Sequence, residues 1–216
     1  MKEGAVAEVM TRPMKDRVGI TMATLRKAEA RLRRSDPIMA GLIERHGPCT
    51  LFERKYEPFH TLCTSIISQQ LSGKAADTIE QRVAQLVPSP FRAWDIVRVP
   101  VASLRTAGLS SRKAAFLHQL AERVMDGRLS FERLARADDE AVITALVEVP
   151  GIGRWTAEMF LIFALKRPDI LALKDGGLQR AVRLLYGDSF DLALAGRRWR
   201  PYSSVASWYL WRHLDS

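Results

Sequence analysis

The chain has 216 residues, 47% of them hydrophobic, and 33 Lys and Arg against 24 Asp and Glu give it a net charge of +9. Its longest apolar run, Met159 to Leu165, falls far short of the ~20 residues that span a bilayer, and two cysteines cannot build a disulfide framework or a four-cysteine metal cluster. Those features exclude a helical membrane protein, a disulfide-stapled module and an iron–sulfur protein, and the basic surplus points to a polyanion, most simply nucleic acid.

Residues 1–20 carry no strong pattern and read as a flexible tail. Thr24–Arg34 and Pro37–His46 read as two short helices that part at Ser35-Asp36-Pro37, because a proline pushes the residue before it out of the helical region. Phe59, Leu62, Cys63, Ile66 and Ile67 recur at i, i+3, i+4, i+7 and i+8, one apolar stripe. The turn Gln69-Gln70-Leu71 follows, and Ser72 caps a second stripe of Ala75, Ala76, Ile79, Val83 and Leu86. Phe116, Leu117, Leu120, Ala121 and Val124 make a third. Val142, Ile143 and Leu146 make a fourth, with Asp138 as its cap. Leu178, Ala181, Val182 and Leu185 make a fifth that ends at Gly187. Strand-like alternation is scarce. The pattern predicts an all-α fold of nine or ten helices.

Two segments look alike: LRTAGLSSRKAAFL (104–117) and LVEVPGIGRWTAEMF (146–160). Each reads as helix, glycine-containing turn, helix. In the second, Pro150 ends the preceding helix, and Gly151 and Gly153 permit backbone angles and close approaches that a Cβ forbids. The next helix begins near Arg154, so its free N–H groups and its dipole point out of the turn, an arrangement that binds anions. In a basic chain the expected anion is a DNA phosphate, met by Gly151, Gly153, Arg154 and Thr156.

Val149–Met159 resembles the hairpin of the helix-hairpin-helix/GPD superfamily of DNA glycosylases. Three further stretches carry the same resemblance. RPDILALKDGGLQRAVRLLYG is similar to the loop holding that family's catalytic aspartate. FHTLCTSIISQQLSGKAADTIEQRV is similar to the region around QQLS in its alkylpurine branch, 3-methyladenine DNA glycosylase II. WRPYSSVASWYLWRH (199–213) is similar to that branch's C-terminal segment. The resemblance covers about residues 24–213. It implies two helical lobes with a cleft between them, one formed by 61–168 and carrying the hairpin, the other by 21–60 together with 169–216.

The resemblance also implies roles. Asp175 falls at the catalytic aspartate, although alone it would read as an N-cap. A fixed carboxylate there stabilises the positive charge that grows on the sugar as an N-glycosidic bond breaks, and can align or deprotonate a water. Trp155 stands where strand-cutting relatives place a lysine nucleophile, so a monofunctional enzyme is expected. Trp155, Tyr202, Trp208 and Met159 are expected to wall a base pocket suited to cationic alkylated purines. Gln70 and Leu71 are expected to fill the gap left by a flipped base. The main-chain carbonyls of Val147, Val149 and Ile152 are candidates for a monovalent cation at the hairpin; no other cofactor is required. Lys174 and Ser203 depart from the family pattern. The expected partner is double-stranded DNA containing alkylated purines such as 3-methyladenine or 7-methylguanine, met by a monomer. No charged–apolar–small signal segment opens the chain, so a cytoplasmic protein at the nucleoid is expected. The alternatives are a same-fold enzyme for uracil, hypoxanthine, ethenoadenine or an oxidised base, and a non-catalytic DNA-binding module.

Overall fold

The computed structural model of the chain describes residues 21–53 and 57–216, so the tail expected at 1–20 lies outside the described residues. Thirteen helices and no strand lie among the described residues. The three or four helices beyond the expected number include α5 (Ala93–Ile96) and α8 (Phe131–Arg136), while α6 (Val101–Thr106) is the first helix of the expected 104–117 hairpin. Four to six residues hold at most one apolar repeat, so periodicity cannot reveal them.

α1 (Met22–Ser35) and α2 (Pro37–His46) meet at Asp36, which ends the first and caps the second. This carboxylate is fully buried and accepts from Ile38 N at 2.9 Å, Met39 N at 3.3 Å, the Tyr186 hydroxyl at 2.6 Å and Trp199 Nε1 at 3.0 Å. Tyr186 lies in α11 (Gly176–Tyr186) and Trp199 in α12 (Leu192–Trp199). One buried acid therefore ties the α1–α2 junction to α11 and α12, and burial, reinforced by Asp36, pushes the Tyr186 hydroxyl pKa up.

The helix contacts fall into two groups. α13 (Ser203–Leu214) packs on α1, α2, α11 and α12. In the other group α3 (Pro58–Ser68) packs on α4 (Gly73–Ala84), α7 (Ser111–Met125) and α10 (Arg154–Phe163). α5 and α6 rest on α7, and α9 (Asp139–Val147) packs on α10. Asp175 starts α11, on the far side of the 164–174 connection from α10.

Candidate active site

Asp175 caps α11: its Oδ1 accepts Leu178 N at 2.8 Å. Two indoles complete its shell. Trp155 Nε1 donates to Oδ2 at 2.7 Å, and Trp211 Nε1 donates to Oδ1 at 3.1 Å. Three N–H donors from α10, α11 and α13 thus fix the orientation of a carboxylate that is 7% exposed. Gly177 makes room for this contact, since a Cβ there would stand 3.1 Å from Asp175 Oδ1 and 3.4 Å from the Trp211 ring.

Asp175 lies in the wall of a cleft of about 610 Å³. α3 contributes Thr61, Thr64 and Ser65; α10 contributes Trp155, Met159 and Phe163; α13 contributes Trp211 and Leu214. The Phe163 and Trp211 rings stack with centroids 5.9 Å apart. A cavity of this size, apolar with a few convergent polar groups, has the character of a small-ligand site.

Of the expected pocket residues, Trp155, Met159 and Asp175 come together here. Trp155 is 47% exposed and uses its N–H edge on the carboxylate. Tyr202 and Trp208 do not line this cleft. Tyr202 is the N-cap of α13, nine residues from Trp211, roughly 13 Å along the helix axis. Trp208 packs edge-on against Tyr209 and lines an adjoining cavity of about 490 Å³ that shares Phe163, Trp211 and Asp215 with the cleft. The indole that reaches Asp175 is Trp211, one turn beyond Trp208. Motif position alone does not give helix phase, and so does not single out Trp211 as the ring that meets Asp175. Phe163, Gly177 and the hydroxyl row on α3 were also missed.

In the hairpin, Gly151 sits at φ 89, and a Cβ on it would stand 2.3 Å from Phe116 Cδ2. This glycine is required by backbone conformation and by packing. Gly153 is different: it is the exposed N-cap of α10 at an ordinary φ of −95, with nothing within 4 Å of an added Cβ. No side chain caps α10, so the first-turn amides are not used by a side chain. The side chains of Thr156 and Arg154 are engaged within the protein. Thr156 is buried. Arg154 pairs with Glu140 at 3.0 Å and with Glu158 at 3.1 Å. What the turn leaves open at the start of α10 is its first-turn main-chain N–H groups.

Glu158 is a buried carboxyl that sequence reading passed over. Burial raises its pKa, Arg154 opposes the shift, and Glu140 and Asp175 add to it. Lys174 is exposed. Ser203 is buried, and its hydroxyl donates to Asp169 Oδ1 at 2.6 Å, so this departure from the family pattern serves the start of α13. Gln70 and Leu71 form an exposed turn between α3 and α4, with Gln70 at φ 56.

An aromatic cleft built around one oriented carboxylate, beside an uncapped helix end on a basic chain, is the layout of a helical DNA-processing enzyme. The chain belongs to the HhH-GPD superfamily of base excision DNA repair proteins, whose sequence model matches residues 63–191. It is 31% identical over 205 residues to DNA-3-methyladenine glycosylase 1 of Schizosaccharomyces pombe, covering 88% of each chain. The crystal structure of the Bacillus halodurans DNA-3-methyladenine glycosidase superposes with a TM-score of 0.76 at 40% identity, over 86% of this chain and 88% of that one. The Schizosaccharomyces pombe 3-methyladenine DNA glycosylase in complex with abasic DNA gives a TM-score of 0.75 at 28% identity, over 88% and 97%.

Proposed function

We propose that this protein is a monofunctional DNA glycosylase that flips alkylated purines out of double-stranded DNA and removes them by hydrolysis. The observation that carries the reading is Asp175, held by Trp155 and Trp211 at the wall of an aromatic cleft. N3- and N7-alkylated purines are cationic, and a cation over an aromatic face gains about 0.5–2 kcal/mol. Such a base leaves as a neutral molecule, so the cleft needs no strong general acid.

The step balances simply. The C1′–N bond breaks and its electron pair leaves with the base. Positive charge grows on the sugar opposite the Asp175 carboxylate. A water oxygen adds to C1′ and gives up its proton to Asp175 or to solvent. The products are the free base and an abasic site. Strand cutting would need an amine beside C1′. Position 155 holds an indole, Lys166 Nζ is engaged at Phe52 O at 3.0 Å, and Lys174 is exposed.

DNA is held, on this reading, by the first-turn amides of α10, while Gln70 and Leu71 occupy the space the base vacates. A monovalent cation bound by the carbonyls of Val147, Val149 and Ile152 would bridge to a phosphate. Val149 O already accepts Ile152 N at 3.0 Å, and its second lone pair fits such an ion. The protein would act as a monomer. Among the described residues no helix is long and apolar enough to cross a membrane.

The test is excision from a panel of lesion duplexes. Release of 3-methyladenine and 7-methylguanine without strand nicking is expected. Release of uracil or 8-oxoguanine in their place would overturn the substrate assignment, and release of nothing would overturn the activity.

A further inference from the structure

The first of the two look-alike hairpins, 104–117, lines no part of the cleft around Asp175. Its second helix, α7, sends Lys113 across to the C-terminal end of α3, where Nζ donates to Ile67 O at 2.7 Å and to Gln69 O at 2.6 Å. α3 has no basic residue in its own last turn. The last carbonyls of a helix lack partners within it and carry the negative end of its dipole. An ammonium on this end fixes where α3 stops and where the exposed Gln70–Leu71 turn begins.

Gln69 reaches the other way. Its Nε2 donates to Gly151 O at 2.6 Å, in the turn of the second hairpin. Phe116, one turn after Lys113, packs directly beneath Gly151. α7 therefore holds one turn through Lys113 and the other through Phe116, and Gln69 joins the two.

We propose that Lys113 is a positioning residue for base extrusion: it holds the Gln70–Leu71 turn at a fixed offset from the Gly151 turn, so that gripping the backbone and filling the stack act on DNA as one rigid body. This rests on the reading of Gln70 and Leu71 as the element that replaces the flipped base. A turn free to swing would yield when pushed into the stack, and the loss would be greatest where the base is hardest to extrude.

The experiment compares single-turnover excision of one alkylated purine in a Watson–Crick pair and in a mismatch. The variants are Lys113→Met, Lys113→Arg, Gln69→Leu and Gln70→Ala. Lys113→Met should lower excision from the pair about tenfold more than from the mismatch, a size that a contact network carries. Lys113→Arg should recover most of it. A purely structural loss would lower both substrates alike, and equal losses overturn the proposal. If circular dichroism shows that Lys113→Met does not fold, Gln69→Leu carries the test under the same criterion. If Gln70→Ala changes the pair-to-mismatch ratio and Lys113→Met does not, the positioning role falls and the wedge stands. If Gln70→Ala also leaves the ratio unchanged, both fall.

Discussion

The two hairpin glycines should respond in opposite ways to the same added methyl. At Gly151 the backbone is left-handed, φ 89, and the methyl would stand 2.3 Å from the Phe116 ring. A left-handed L-residue costs roughly 1–2 kcal/mol, and overpacking a filled site costs about 1–3 kcal/mol more. The middle of the summed range, about 3.5 kcal/mol, lowers the melting temperature of a chain of this size by about 7–14 °C. At Gly153 φ is −95 and the methyl meets nothing within 4 Å. Alanine caps a helix less well than glycine but loses less entropy on folding, so Gly153→Ala should melt within about 3 °C of the wild type. Its methyl adds bulk in the open space at the N-terminal end of α10, where the proposed phosphate sits. Affinity for lesion and undamaged DNA should fall together, on the order of tenfold. Calorimetric melting and binding to both duplexes measure the two effects. Gly151→Ala melting like the wild type would refute the packing argument, and wild-type affinity in Gly153→Ala would refute the phosphate contact.

Trp211→Phe keeps a ring over Phe163 but removes the donor to Asp175 Oδ1, so base release should slow by roughly tenfold, the value of a hydrogen bond to a charged group. Trp208→Phe and Tyr202→Phe, whose rings lie outside the cleft, should stay within about twofold, and a larger loss in either would contradict the pocket drawn here. Glu158 has a folded-state pKa raised above its ordinary 4.5, chiefly by burial. The unfolded chain therefore loses this proton first, and the wild type should lose stability relative to Glu158→Gln as pH rises from about 4.5 through the folded value. Urea melts across that range measure the difference, and a difference that does not change with pH contradicts it.

The sequence was most informative where local chemistry decides structure. The break at Asp36-Pro37, the caps Ser72, Asp138 and Asp175, and the start of α10 at Arg154 all follow from rules spanning four residues. What it hid depends on contacts between distant segments. Lys113 meets Gln69 across 44 positions and Tyr186 meets Asp36 across 150, and no periodicity encodes such partners. The pairing of Arg154 with Glu140, from a different helix, is likewise not encoded in any local pattern. Trp208 and Trp211 both stand in the matching segment; the orientation of α13 against α11 decides which of them reaches Asp175.

The central claim is that Asp175 supplies the negative charge that hydrolysis requires. Asp175→Asn keeps the side-chain shape and an oxygen able to cap α11, so folding should hold and lesion DNA should still bind. Base release measured at saturating enzyme in a single turnover separates chemistry from binding. The account predicts a loss on the order of 10²–10³ in that rate, the scale of removing one preorganised electrostatic group. Release at near wild-type speed from a normally folded Asp175→Asn would contradict it and leave Asp175 as a helix cap alone.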